Sequence, residues 1–171
     1  MNNRTTHNQP SAKAKASAID SHKLAPRIQN RRAHFDYHIL DKIEAGLQLV
    51  GSEVKSVRLG KVQLSQSFAR VRGTQAELFG CHIEEYIEAN QLNHDPTRTR
   101  KLLLHRREIR RLVQRLQKDP GSTLIPLEIY FRRGYAKVLI GIAIGKKQFD
   151  KRAAIRERED KRNMDKALRR R

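Results

Sequence analysis

At 171 residues the chain suits one domain with extensions rather than two full domains. Hydrophobic residues at 37% and charged residues at 32% supply one modest core and exclude a large one, and no apolar run is long enough to span a bilayer. The formal net charge of +19 calls for a polyanionic partner, because each phosphate neutralised by Lys or Arg releases counterions.

That charge is unevenly spread. Residues 1–32 carry seven basic and one acidic side chain, residues 33–145 carry 18 and 12, and residues 146–171 carry 12 and five. Two short end segments therefore hold most of the excess. An anionic membrane surface is the competing partner, but the basic tail lacks the aromatic and leucine face of an interfacial helix. Cys81 is the only cysteine, so no intramolecular disulfide can form, which fits a reducing compartment such as the cytoplasm.

Residues 1–29 show no periodicity and read as a disordered basic extension, with an organelle transit peptide as the alternative. The alternation of Phe35, Tyr37 and Ile39 predicts a strand, and Gly46 separates it from a second short strand over 47–50. Ser52 is placed to cap a helix that reaches Leu59 and ends at Gly60, with Val54 and Val57 inward. Residues 68–72 and 77–83 predict a hairpin turning near Gly73-Thr74. Residues 84–101 read mainly as loop, broken by Asn93, Asp95 and Pro96. Over 105–118, Ile109, Leu112, Val113 and Leu116 share one stripe at 3.6 residues per turn, and Pro120-Gly121 ends that helix.

A second hairpin follows. Ile125, Leu127, Ile129 and Phe131 alternate, as do Ala136, Val138, Ile140, Ile142 and Ile144, with Arg133-Gly134 at the turn. Gly141 suggests a bend or bulge. Together these elements predict a mainly β fold with small helices, an OB-like closed antiparallel barrel over residues 30–144. Residues 145–171 form a basic tail whose apolar residues, Phe149, Ile155, Met164 and Leu168, are too sparse for a continuous docking stripe. The tail is expected to be disordered alone and helical on a polyanionic surface.

The residues speak for binding more than for catalysis. Arg107, Arg110, Arg111, Arg115 and Lys118 lie opposite the apolar stripe of the 105–118 helix, and Glu108 is the one acid in that span. A phosphate-binding face is favoured there over a merely solvated one. Arg98, Arg100 and Lys101 put three cations on one loop, and arginine forks suit phosphate. Of Leu102, Leu103 and Leu104, at least two are expected to be buried, and an exposed one could pack on an unstacked base. Glu44 either accepts hydrogen bonds from base edges or a ribose hydroxyl, or only balances nearby cations, and residue chemistry favours the second. Glu53 carries the same ambiguity, with a helix-dipole role as a third option. Cys81 and His82 are neighbours on a strand and face opposite ways. His34 and His38 share no helix face, and His94-Asp95 lacks a third partner. No metal, cofactor or phosphate-loop motif is present. Scarce aromatics favour a folded RNA, read by shape and phosphate, over single strands held by stacking.

Three stretches together resemble the SsrA-binding protein family, also called small protein B. They are Glu44-Ala45-Gly46 with Gly51–Ser56 and Arg58–Lys61, Asn93–His105 continuing into Arg107-Glu108-Ile109, and Gly145–Arg152 with its charged tail. The resemblance covers the chain from about Asn30 onward. It departs at Phe35, where the family commonly has histidine before an acid-Tyr pair, and at His105, where some members have asparagine.

The resemblance implies an OB-like barrel that binds the tRNA-like domain of transfer-messenger RNA and delivers it to stalled ribosomes for trans-translation. The tail would occupy the decoding centre of 16S rRNA and the empty mRNA channel. Elongation factor Tu would meet the same RNA, and the protein would act as a monomer on it, without cofactor, metal or membrane. The expected RNA-binding set is Glu44, Gly46, Lys55, Arg58, Lys61, Asn93, Asp95, Arg98, Arg100, Lys101, Leu102, His105, Arg107 and Arg111. Within it the resemblance gives Glu44 and Leu102 the RNA grip, with His105 beside them. The expected ribosome-interacting set is Gly145, Lys146, Lys147, Asp150, Lys151, Arg152 and Arg156, where Asp150, Lys151 and Arg152 match a motif needed for tagging. A structural ribosomal or other rRNA-binding protein is the alternative.

Overall fold

Alternating apolar residues build two 11-residue strands that carry much of the core, β8 (Ser122–Arg132) and β9 (Tyr135–Gly145). They join at Arg133 and Gly134, both with positive φ (51° and 82°), the geometry of a tight two-residue hairpin turn. The computed structural model describes residues 26–89 and 93–147, together with Glu159 and Met164 singly. In chain order the earlier elements are β1 (Ile28–Gln29), α1 (Arg31–Asp36), β2 (Tyr37–Leu47), α2 (Gly51–Arg58), β3 (Val62–Gln63), β4 (Phe68–Arg72), β5 (Gln75–Phe79), β6 (His82–Ile83), β7 (Arg100–Leu103) and α3 (Arg106–Lys118).

The fold is mainly β. One seven-stranded sheet runs β1-β8-β4-β5-β7-β2-β9, and β8 also pairs with β9. All its pairings are antiparallel, and the β4–β8 contact is a single bridge, Ala69 opposite Leu124. β3 and β6 form a separate two-stranded ribbon. The inward side chains Ala45, Leu47, Ala76, Leu78, Leu102, Leu124, Ile129, Val138 and Ile140 make one cluster, to which α2 adds Val57 and α3 adds Leu112. A second, smaller cluster of Ile125, Leu127 and Ala143 packs against Ala33 of α1. This explains why β9 is buried on both faces from Ile140 to Ala143.

Several expectations change. Phe35 is helical, not the start of a strand, because Asn30 begins α1. The Asn30 side chain accepts from the Ala33 N–H (3.2 Å) and donates to the carbonyls of Leu64 (3.1 Å) and Pro126 (3.0 Å). Sheet pairing also begins at Ile28, before residue 30; residues 1–25 lie outside those described. β2 passes through Gly46 without a break, so residues 47–50 are not a second strand. A Cβ at Gly46 would stand 3.1 Å from Leu103 Cβ, so the glycine serves close approach of β7. Ser52 does not cap α2; the Val50 N–H is met by the Glu53 carboxylate at 2.8 Å. Register shifts fall at Leu127 of β8 and Leu40 of β2, not within β9. Gly141 instead leaves room for the neighbours: a Cβ there would stand 3.1 Å from Leu127 Cδ1 and 3.3 Å from Ile39 Cγ2.

Candidate nucleic-acid interface

Strand alternation brings Glu44 of β2 to the outer face, beside the buried Ala45. The Tyr130 hydroxyl of β8 donates to Glu44 Oε2, Arg132 Nη1 lies 3.4 Å from the same oxygen, and Lys137 Nζ of β9 lies 3.5 Å from Oε1. The Tyr130 hydrogen bond, followed by the charges of Arg132 and Lys137, holds this carboxyl below the ordinary glutamate range. Burial, then Glu44, pushes the Tyr130 phenol up to about 12. The Arg27 guanidinium stands 5.1 Å from the Tyr130 ring centroid. The site is thus a fixed anion inside a cationic rim, able to accept from a base edge or ribose while the rim meets phosphate. Tyr130, Arg132 and Lys137 lie outside the set expected from the sequence. The alternation of Ile129 and Phe131 implies that 130 and 132 face the other way, outward.

Next to Glu44, Leu103 rather than Leu102 faces solvent. Leu102 is 3% exposed and belongs to the core, whereas Leu103 is 55% exposed and sits opposite Gly46. The Leu102 side chain therefore packs inward, while Leu103 and the exposed Lys101 of the same strand stand on the outer face.

The 93–100 loop is likewise built differently from the expected cluster of phosphate-seeking cations. Arg100 is fully buried, with Nε 2.9 Å from Glu53 Oε1 and its remaining donors on the carbonyls of Cys81, Arg98 and Pro96. Arg98 makes a two-point contact with the same carboxylate, at 2.7 and 2.5 Å. Neither Arg100 nor Glu53 reaches the surface, so the Arg100 guanidinium is spent on internal contacts. The Asn93 side chain bridges the backbone N–H and C=O of Tyr86 (3.2 and 2.9 Å). Asp95 accepts from the Thr97 N–H at 2.8 Å, which lowers its pKa. His94 is buried between Ser52 Oγ (2.9 Å) and the Ile83 carbonyl (3.2 Å). These polar residues shape the loop. Asn93, His94 and Arg98, with Gly51, Ser52 and Lys55, border an open cleft of about 640 Å³ at the start of α2.

On α2, Lys55 lies over the Tyr86 ring (4.7 Å), Arg58 over Phe131 (5.5 Å), and Lys61 just beyond pairs with Glu84 (3.7 Å). On α3, Ile109 and Leu112 are buried and Arg106, Arg107, Arg110 and Arg111 are exposed. Among the described residues none of these four arginines has an ion-pair partner, while Arg115 reaches Asp41 at 3.9 Å. His105 precedes the helix with an exposed side chain, and its N–H donates to Glu108 at 2.7 Å. Replacing Arg107 and Arg111 together with alanine is expected to weaken RNA binding uniformly and to flatten the log-affinity against log-salt slope by about 1–2. An unchanged slope, measured by titration at several salt concentrations, would show that this face is only solvated.

At the start of the tail, the Lys146 N–H donates to the Asp36 carbonyl (2.8 Å) and its ammonium to the His34 carbonyl (3.1 Å), tying residue 146 to α1. Asp150, Lys151, Arg152 and Arg156 lie outside the described residues, as does the expected tail helix apart from Glu159 and Met164, both helical and exposed. Cys81 is buried and its thiol is pushed up to about 11 by that burial, so it is a core residue and no nucleophile. Among the described residues there is no cluster of three or more metal-binding side chains, and no helix is long and apolar enough to cross a membrane.

Comparison with known proteins matches residues 27–170 to the family described as SmpB protein. The SsrA-binding protein of Levilactobacillus brevis is 48% identical over 157 residues, covering 92% of this chain and 98% of that protein. The SsrA-binding protein of Acaryochloris marina is 52% identical over 142 residues, covering 82% and 92%. A chain of the solved structure described as "tmRNA-SmpB: a journey to the center of the bacterial ribosome" superposes with a TM-score of 0.63 at 48% identity, covering 77% of this chain and 96% of its own length.

Proposed function

The chain belongs to the SmpB protein family, and we propose that it binds transfer-messenger RNA and carries it to stalled ribosomes for trans-translation. It is an RNA-binding protein and not an enzyme. The observation that carries the assignment to particular residues is the outer face on which Glu44, held ionised in its cationic rim, lies beside the exposed Leu103. A folded RNA offers such a face both phosphates and unpaired base edges. The α3 arginines extend the cationic surface, and His105 stands at their edge.

The circuit of pairings from β8 through β4, β5, β7, β2 and β9 back to β8 supports an OB-like closed barrel. Residues 150–170 of the tail would fold as a helix along the decoding centre and the empty mRNA channel, reaching roughly 30 Å at ~1.5 Å per residue. Asp150, Lys151 and Arg152 would act there and not in RNA capture. The protein would work as a monomer in the cytoplasm, with elongation factor Tu on the same RNA.

Copurification from cells tests the core of this reading. The tagged chain, washed at moderate salt, is expected to retain one dominant RNA with a tRNA-like end and a short reading frame. A broad mixture of ribosomal RNA alone would favour a structural ribosomal protein instead. In the same strain, alanine at Asp150, Lys151 and Arg152 is expected to leave RNA retention intact and abolish tagging. Equal loss of both would contradict the division between body and tail.

A further inference from the structure

The outer face of the β4–β5 hairpin carries two aromatic rings that the core does not use. Phe68 and Phe79 stand directly opposite in register, with ring centroids 5.4 Å apart and planes within 14°. The alternate residues Ala69, Ala76 and Leu78 fill the core, so strand geometry turns these rings outward. Phe68 is 40% exposed. The Arg70 guanidinium lies 5.9 Å from the Phe68 ring and that of Arg72 lies 5.6 Å from the Phe79 ring. The chain has only five phenylalanines and no tryptophan, so placing one of them exposed beside a second, half-buried ring is a costly choice for stability alone.

We infer that this face is a stacking subsite for an unpaired nucleotide of the RNA bound over Glu44 and Leu103, with Phe68 under the base and Arg70 and Arg72 on its flanking phosphates. The inference rests on the proposed binding of transfer-messenger RNA and extends it to a new surface. Continuity favours that one RNA as occupant. Glu77 of β5 stands opposite Lys101 of β7, and Leu103 of β7 stands opposite Gly46 of β2. The same outer face therefore runs across four adjacent strands, and β4 lies about 15 Å from β2 at ~4.8 Å per strand. Charge complementarity agrees: Arg70, Arg72 and Lys101 surround the single acid Glu77. Aromatic rings stack on any base, and guanidinium groups add both phosphate contact and stacking.

The test uses the full chain and transcribed transfer-messenger RNA. Phe68→Leu keeps apolar volume and removes the ring. It is expected to leave the melting temperature near that of the parent and to weaken RNA affinity about 5- to 50-fold. Arg70→Gln with Arg72→Gln, at exposed positions that do not threaten folding, is expected to flatten the salt slope by about 1–2. If the parent chain itself fails to bind this RNA, the proposed function fails and takes the subsite with it. If the parent binds, Leu103→Ala weakens binding, and both hairpin variants bind like the parent, the subsite is overturned and the function stands. Loss confined to ribosome binding, or to self-association of the chain, would also overturn it, since the occupant would then be another partner.

Discussion

Replacing Glu53 with alanine is expected to lower the unfolding free energy by about 3–5 kcal/mol, read from denaturant midpoints at neutral pH. Glu53 is fully buried and accepts from the Val50 N–H and from both Arg98 and Arg100. Removing the carboxylate strands the Arg100 guanidinium, itself 0% exposed, without its counter-charge. A variant within 1 kcal/mol of the parent would show that water or carbonyls replace the carboxylate. The acid response follows from the same contacts. Burial, the largest single influence on Glu53, raises its pKa, but the Arg98 hydrogen bonds, the Val50 N–H and the charges of Arg100 and Arg98 together lower it. A carboxyl whose folded pKa is depressed stabilises fully above its unfolded value, about 4.3. That contribution is lost as pH falls through the folded value. The stability gap between the parent and Glu53→Gln should therefore narrow on acidification below about pH 4.3.

Leu102 and Leu103 should fail in opposite ways. Leu102→Ala is expected to cost about 2–5 kcal/mol of stability, because it empties a core site shared with Ala76 and Leu47. RNA affinity per folded molecule should be close to that of the parent. Leu103→Ala should shift stability by only about 0.5 kcal/mol, as for an exposed side chain, and weaken RNA binding strongly, since it removes the apolar surface beside Glu44. Unfolding midpoints and RNA titrations on both variants decide the matter. RNA loss from Leu102→Ala at full foldedness, or a large stability loss from Leu103→Ala, would reverse the two roles.

Much of the architecture is legible in the amino-acid sequence. The turn at Arg133-Gly134, the hairpin through Gly73-Thr74 and the stripe on α3 are local signals, since each depends on neighbours within a few residues. The elements that mislead are those stabilised from far away. The Phe35 region alternates like a strand, yet Asn30 holds it helical through carbonyls of Leu64 and Pro126. Arg98 and Arg100 look like surface cations because their partner, Glu53, lies 45 and 47 residues earlier. Tyr130 and Glu44 are 86 residues apart and meet only through the pairing of β2 and β8 with β9.

By itself, the sequence determined that this is a mainly β, strongly basic protein with an anionic partner, because alternation, turn chemistry and net charge are properties of the chain. Only the tertiary structure decided which charges face that partner and which hold the fold. Strand register turns Leu103 outward and Leu102 inward, and burial ties Arg100 to Glu53 while leaving Arg107 and Arg111 exposed. Both outcomes depend on contacts between residues distant in sequence, which periodicity along one strand or helix does not encode.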